Sequence, residues 1–464
     1  MIREPLTKSN INHHPKWIAV VIFLAITIGL MRQANAQETV LDGYIQEAFK
    51  NNRGLKQKQL DLEKSLYALK EAKSYYLPNV SFNTTYTKAN GGRTIDLPIG
   101  DLLNPVYSSL NKLTASNSFP TIQNESVLLN TDNYYDAKLH TTLPLIDLEI
   151  GYNKRIKKES ISYQQATLNV YKRELVRDIK LAYYHYYQAT QAVAIYNSSL
   201  SLVNENIRVN ESMLRNGARN ATALTRSQTE KQKVEASQNE QENMAKNAKA
   251  YFNFLLNRNL DDEITLDTMQ FKTSIATGTN LSTNATREEL KQIETAENMY
   301  KLNTGLLKSN RIPKLNAFLD MGSQDYNFKV NNKSMYYFGG VSLSWDLFAG
   351  NKNNLRIKQA ETDIQSSQAK YQETQKSFQF LEEQSRNNLN TAFTNYISAQ
   401  KQTALSERYY NDQFKIYKEG QLLYIELVDA QNELTKARLQ LATTEADIQI
   451  AIAELERNQA AYPL

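Results

Sequence analysis

Glu426 and Asp429 stand three residues apart, a few positions beyond an isolated glycine at 420. At helical spacing the two carboxylates share one face, where they can gather cations and repel anions. A plainer account is that acids near a helix start suit the macrodipole. Catalytic chemistry has nothing comparable to offer. The four histidines (His13, His14, His140 and His185) show no metal-ligand spacing, and no cysteine is present. Thiolate catalysis, disulfides and lipid attachment to an amino-terminal cysteine are therefore not expected. No nucleophile–base pair, glycine-rich phosphate loop or zinc motif occurs, so no enzyme activity, metal or cofactor is expected. One aromatic cluster, Tyr183-Tyr184-His185-Tyr186-Tyr187, could hold an aromatic ligand, although aromatics on a long helix more commonly pack.

The elements that carry these residues are long. Residues 152–216 and 351–419 contain neither proline nor glycine, and each stretch ends at one glycine, Gly217 or Gly420. Excluding both residues over such lengths leaves little but helix, and each rod would extend about 100 Å. A further helix-compatible run of about 40 residues follows each glycine.

The amino terminus reads as a secretory leader. Basic residues precede an apolar run from Trp17 to Met31, and Ala34-Asn35-Ala36 forms a small-x-small cleavage site before Gln37. A retained signal anchor is the alternative, although the run is shorter than the ~20 residues of a membrane span. The leader (1–36) holds four basic residues and one acid, so most of the chain's net charge of +5 belongs to it. The remainder makes no case for nucleic acid. A mean hydropathy of −0.57 suits thin apolar seams between elements wetted on more than one side.

The chain also repeats itself. Pro78-Asn79-Val80 matches Pro313-Lys314-Leu315, and Leu143-Pro144-Leu145-Ile146 matches Trp345-Asp346-Leu347-Phe348. Leu214-Arg215-Asn216-Gly217 matches Tyr417-Lys418-Glu419-Gly420, and the register continues through Leu224 with Leu427 and Gln228 with Gln431. The expected organisation is a first repeat over 37–257, a polar linker over 258–285 and a second repeat over 286–464. Each repeat reads helix, strand, strand, long helix, turn, long helix. Strands are expected at about 78–88, 134–145, 313–323 and 336–347. They alternate with period two, as in Tyr135, Ala137, Leu139, Thr141 and Leu143 or Tyr337, Gly339, Val341, Leu343 and Trp345. Segments of about ten residues with one apolar face mark a membrane β-barrel, although a soluble sheet shares the pattern. Four strands cannot close such a barrel alone, so closure requires several chains. The first strand pair carries an insert over about 88–131, a surface loop by composition in which Leu102, Leu103, Leu110 and Leu113 suggest one short helix.

Beyond Gly420 a heptad runs through Leu427, Leu434, Leu441, Ile448 and Leu455, with Ala430, Ala437, Thr444 and Ala451 between them. This predicts close left-handed packing along one seam. Narrow seams with wet faces fit helices walling a water-filled tube, and they also fit an exposed coiled coil.

A leader, two tandem copies of strand pair plus helical hairpin, and a glycine at each hairpin tip together resemble the TolC-type outer-membrane efflux duct family. The resemblance implies an α+β membrane protein. In that family a homotrimer forms a twelve-stranded β-barrel in outer-membrane lipid, continued by a twelve-helix α-barrel in the periplasm. It further implies a passive duct for efflux or type I secretion, served by a periplasmic membrane-fusion adaptor and an inner-membrane pump of RND or ABC type. The alternative is a soluble periplasmic or surface coiled-coil scaffold. By position, the family's periplasmic aperture falls on Tyr417, Glu426 and Asp429. The adaptor-contacting tips fall on Arg215, Asn216, Gly217 and Ala218 and on Lys418, Glu419, Gly420 and Gln421. The lipid-facing side of the strands is expected at Leu139, Leu143, Val341, Leu343 and Trp345. Two polar residues of the family's closing latch are replaced here by Ala223 and Leu422.

Overall fold

The computed structural model describes residues 39–267 and 287–464. The expected leader and most of the expected linker lie outside these residues. The described elements are α1 (Val40–Asn51), α2 (Arg53–Ser74), β1 (Asn79–Thr87), β2 (Thr94–Leu97), α3 (Ile99–Thr114), β3 (Glu125–Leu128) and β4 (Tyr134–Ile146). They continue with α4 (Leu148–Arg215), α5 (Ala221–Leu256), α6 (Glu288–Ser309), β5 (Lys314–Tyr326), β6 (Met335–Ser344), α7 (Lys352–Lys418) and α8 (Tyr424–Gln459). The proline- and glycine-free stretches thus make up nearly all of the 68-residue α4 and the 67-residue α7. The chain is helix-rich with a small sheet, and it divides into two compact units. Among the described residues no helix is long and apolar enough to cross a membrane.

One unit, Leu60–Thr167 with Glu289–Thr374, holds the sheet. Its strand order is β1-β4-β5-β6, antiparallel throughout. The register puts Phe82, Leu139, Met321 and Tyr337 in one row, and Ala317 between Leu143 and Val341 in another. Directly opposite residues share a face, so the apolar alternation of every strand falls on the same side. That side is open: Phe82, Val341 and Leu343 are each 66% exposed. The other face carries polar groups together with an aromatic pair, Phe318 and Phe338, whose rings lie 5.5 Å apart. Lys138 Nζ lies 3.2 Å from Asp320, His140 also bonds Asp320, and the Tyr336 hydroxyl donates to Asp136 at 2.8 Å. Gly322 sits where no side chain fits, since a Cβ there would meet the Ala137 carbonyl oxygen at 2.5 Å and Lys138 Cα at 2.9 Å. Backbone cannot step aside as a side chain can. Gly322→Ala should therefore destabilise the β4–β5 pairing by about 1–3 kcal/mol, read as a lower temperature for loss of the sheet signal in circular dichroism.

Two expectations change here. β6 ends at Ser344, so Trp345 is not a strand residue; its indole N–H donates instead to the Arg311 carbonyl at 3.0 Å. The insert is more structured than a loop with one short helix. It contains a β2–β3 ribbon and the 16-residue α3. Asparagines rather than leucines hold α3 in place: Asn104 exchanges two hydrogen bonds with the Ile122 backbone, and Asn111 does the same with Phe119. Leu102 and Leu113 face outward.

The other unit takes the described residues up to Gln59, Leu168–Glu288 and Gln375–Leu464. Its packing begins at an aromatic cluster. The Tyr44 and Phe252 rings meet edge to face at 5.1 Å, and Tyr183 lies 5.9 Å from Phe252. Tyr183 is nearly fully buried, and burial pushes its phenol up to about 12. The run around His185 therefore contributes to packing through Tyr183 and Tyr187, while His185 itself is exposed. Along α8, Leu427, Leu434, Ile448 and Leu455 are buried as the heptad predicts, and Leu441 is half-buried. The α4–α8 seam is polar at intervals. Gln188 bonds Thr443 at 3.1 Å, Thr435 bonds Ser199 at 3.2 Å, and Asn206 bonds Gln431 at 2.7 Å.

Candidate functional site: the hairpin tips

Each hairpin turns at a glycine whose backbone is left-handed, with φ +65° at Gly217 and +78° at Gly420. Both turns show the same hydrogen bonds. Ala218 N–H donates to Met213 O and Gly217 N–H to Leu214 O; Gln421 N–H donates to Ile416 O and Gly420 N–H to Tyr417 O. These are Schellman motifs, which need a residue free of Cβ strain at the position after the helix. A Cβ at either glycine would meet nothing within 4 Å, so conformation alone selects glycine there.

The structure brings the two tips together. Arg219, two positions after the first glycine, donates to the carbonyls of Gly420 and Leu422 in the second turn, and its guanidinium lies 5.3 Å over the Tyr417 ring. Tyr417 is fully buried and bonds Asn210 Oδ1, while Asn210 donates in turn to the Ala223 carbonyl at 3.4 Å. Burial raises the Tyr417 phenol, against the lowering influence of Arg219 and Asn210, so it remains a hydrogen-bond donor at neutral pH. Around this pair packs a cluster of Val209, Tyr410, Leu422, Tyr424, Leu427 and Val428. Burial likewise pushes the Tyr410 phenol up to about 12.

Of the residues singled out in the sequence, Tyr417 is at the centre of this cluster. Arg215, Asn216, Gly217, Ala218, Lys418, Glu419, Gly420 and Gln421 are all exposed on the two turns. Glu426 and Asp429 project together from α8, exposed, while Leu427, Val428 and Ala430 on the opposite side are buried. No cation among the described residues lies within ion-pair range of either carboxylate. Leu139, Val341 and Leu343 are exposed on the apolar sheet face, and Leu143 is half-exposed beside them.

Two tip residues are invisible to a reading of the second hairpin alone. The Leu422 side chain packs in the apolar cluster with Ala223 against it, and the backbone carbonyls of the two residues accept from Arg219 and Asn210. The polar contact between tips is therefore present, supplied by different side chains. The signal was available in part: an arginine follows the first glycine by two, where Leu422 follows the second.

Comparison with known proteins agrees with this geometry. Residues 282–458 match the family model for outer membrane efflux proteins. No curated protein matches in sequence. Among solved structures, the CmeC outer membrane channel of Campylobacter jejuni superposes with a TM-score of 0.71 at 12% identity, covering 91% of this chain and 86% of that one. VceC, an outer membrane protein of Vibrio cholerae, gives 0.69 at 12%, with 91% and 96% covered. The open state of the MtrE outer membrane channel from Neisseria gonorrhoeae gives 0.69 at 13%, with 91% and 89% covered. The fold is that of TolC-like outer-membrane channels.

Proposed function

We propose that this chain is a passive outer-membrane export duct extending into the periplasm. Its sheet contributes four strands to a twelve-stranded β-barrel shared by a homotrimer, and α4, α5, α7 and α8 contribute one third of a twelve-helix tunnel. In this reading residues 37–257 and 286–464 are two structural repeats joined by a polar linker over 258–285. The observation that carries it is the sheet, whose outer strands β1 and β6 each lack a second neighbour among the described residues and whose apolar face is exposed. Unpaired strand edges beside an exposed apolar face are unstable in water, and closure in lipid satisfies both. Leu139, Leu143, Val341 and Leu343 then face outer-membrane lipid. A soluble coiled-coil scaffold leaves that face unexplained. Outer-membrane fractionation followed by native mass measurement tests the proposal: a detergent-requiring trimer supports it, and a water-soluble monomer defeats it.

The tips in this reading form the periplasmic aperture and the surface that meets a membrane-fusion adaptor, which couples the duct to an inner-membrane RND or ABC pump. The eight exposed turn residues would supply the adaptor contact. No chemistry is asked of the chain beyond opening and passage. Three-fold symmetry would set the Glu426 and Asp429 carboxylates in a ring around the narrow end, where they attract cations and disfavour anions. Replacing both by alanine should raise the half-blocking concentration of divalent cations about tenfold or more in planar bilayers, and increase conductance. Wild-type block in the double variant would remove the carboxylates from the aperture.

A further inference from the structure

The turn from β6 into α7 carries side chains that neither the sheet nor the tips use. Between Ser344 and Lys352 it exposes Trp345, Leu347 and Phe348, the last 89% exposed. Together with the end of α6 and the start of α7 it borders an open groove of about 680 Å³, lined in part by Arg311, Lys352 and Arg356. The groove has internal order. The Trp345 indole bonds the Arg311 carbonyl, and the Arg311 guanidinium donates to Asn354 Oδ1 at 2.7 Å.

Charge in this groove is unbalanced. Lys352 and Arg356 are four apart on α7, hence on one face, and both are exposed. Neither side chain has a hydrogen-bond or ion-pair partner among the described residues. Asp346 is the one acid among the described residues that lines the groove. The nearby lysines are already engaged, Lys308 with Glu361 at 3.1 Å and Lys314 with Glu149 at 2.7 Å. The first turn of α7 holds no acid, so its cations oppose the helix macrodipole rather than complement it. Internal stability does not account for that placement. The other strand-to-helix turn, from β4 into α4, is built with the opposite sign: its groove is lined by Asp147 and Glu149.

We propose that the β6–α7 junction binds the headgroup of an anionic glycerophospholipid. Lys352 and Arg356, with Arg311 beside them, take the phosphate, and Trp345, Leu347 and Phe348 cover the upper acyl chains. A membrane lipid rather than free phosphate is indicated because exposed apolar side chains border the cations and follow directly on β6. An indole with its N–H bonded and its ring against lipid is the usual arrangement at a membrane–water boundary. The inference rests on the outer-membrane reading of the sheet and adds to it a lipid preference located at one junction.

The experiment uses the full chain, purified in detergent, delipidated, and offered phosphatidylglycerol or phosphatidylcholine before native mass spectrometry. Wild-type protein should retain phosphatidylglycerol about tenfold better than phosphatidylcholine. Lys352→Gln with Arg356→Gln should abolish that preference while leaving the circular dichroism spectrum unchanged. A control pair, Lys154→Gln with Lys157→Gln near the β4–α4 turn, should preserve it. Equal retention of the two lipids by wild type, or a preference that survives in the Lys352/Arg356 variant, overturns the proposal. So does inorganic phosphate binding as tightly as the lipid. A wild-type chain that fails to fractionate with the outer membrane overturns the duct reading as well. One that fractionates there without lipid preference overturns this inference alone.

Discussion

Removing the Arg219 guanidinium and the Tyr417 hydroxyl together should leave the two hairpin tips free to part. Arg219 donates to two carbonyls of the second turn, those of Gly420 and Leu422, at the end of α7 where the helix dipole is negative. Charge-assisted hydrogen bonds of this kind contribute about 1.5–3 kcal/mol, and the half-exposed position of Arg219 places it toward the lower end. The contact over the Tyr417 ring adds about 0.5–1 kcal/mol. Tyr417→Phe leaves buried Asn210 Oδ1 without its donor, which costs about 1–3 kcal/mol. Taken together, Arg219→Ala with Tyr417→Phe should favour separated tips by about 3–4 kcal/mol, several hundredfold in the open-to-closed ratio at about 1.4 kcal/mol per factor of ten. In the duct proposed above, this would appear as a lasting high-conductance state in planar bilayers, and in cells as sensitivity to antibiotics too large for the closed form. Wild-type conductance in the double variant would show that these contacts do not hold the aperture. Arg219→Lys should recover little, because an ammonium cannot span two carbonyls and stack on a ring at once.

The second large effect lies at the other end of the helical unit. Arg173 is buried, makes bonds of 2.6 and 2.8 Å to the Glu288 carboxylate, and donates from its remaining nitrogen to the Ala460 and Tyr462 carbonyls at 2.8 Å each. One side chain thereby ties α4 to the start of α6 and to the carboxyl-terminal segment. Arg173→Met removes the partner of the mostly buried Glu288 carboxylate, and breaking one side of a buried pair costs about 3–5 kcal/mol, with this pair toward the lower end. Residues 460–464 should become susceptible to carboxypeptidase, and the urea midpoint for loss of helix should fall. Arg173→Lys should restore only part of both, since it gives up the bidentate geometry. An unchanged midpoint and a protected terminus would show that the neighbouring pairs Lys180–Glu456 and Arg457–Glu174 suffice.

How much of this was legible in the residues depended on range. The long helices follow from the absence of proline and glycine, and the turn at each tip follows from the single glycine that ends it. Alternation in the strands predicted which side of the sheet would be apolar, and the register kept that side continuous. The aromatic run at Tyr183 to Tyr187 packs through Tyr183 and Tyr187, as aromatics on a long helix commonly do. Legibility failed where a local pattern had to be extended past its physical cause. Trp345 keeps the period-two alternation of β6, but the ladder stops at Ser344 and the indole bonds a turn carbonyl instead. In the insert, leucine spacing suggested a short helix held by its apolar face. Asparagine side chains bonded to a returning backbone segment hold it, and composition cannot show that.

The sequence by itself determined the kinds of element, their order and the two points where the chain must reverse. Each of these is fixed by dihedral preference or side-chain period within a few residues. Tertiary structure alone decided which side chains work together. Arg219 meets a carbonyl 203 positions away, Asn210 meets a hydroxyl 207 away, and Arg173 meets the carboxyl-terminal turn 287 away. That Glu426 and Asp429 share one helix face follows from their spacing. Their exposure, opposite a buried seam, does not. Helix propensity acts through neighbours along the chain, whereas a hydrogen bond between two hairpins exists only once both have packed.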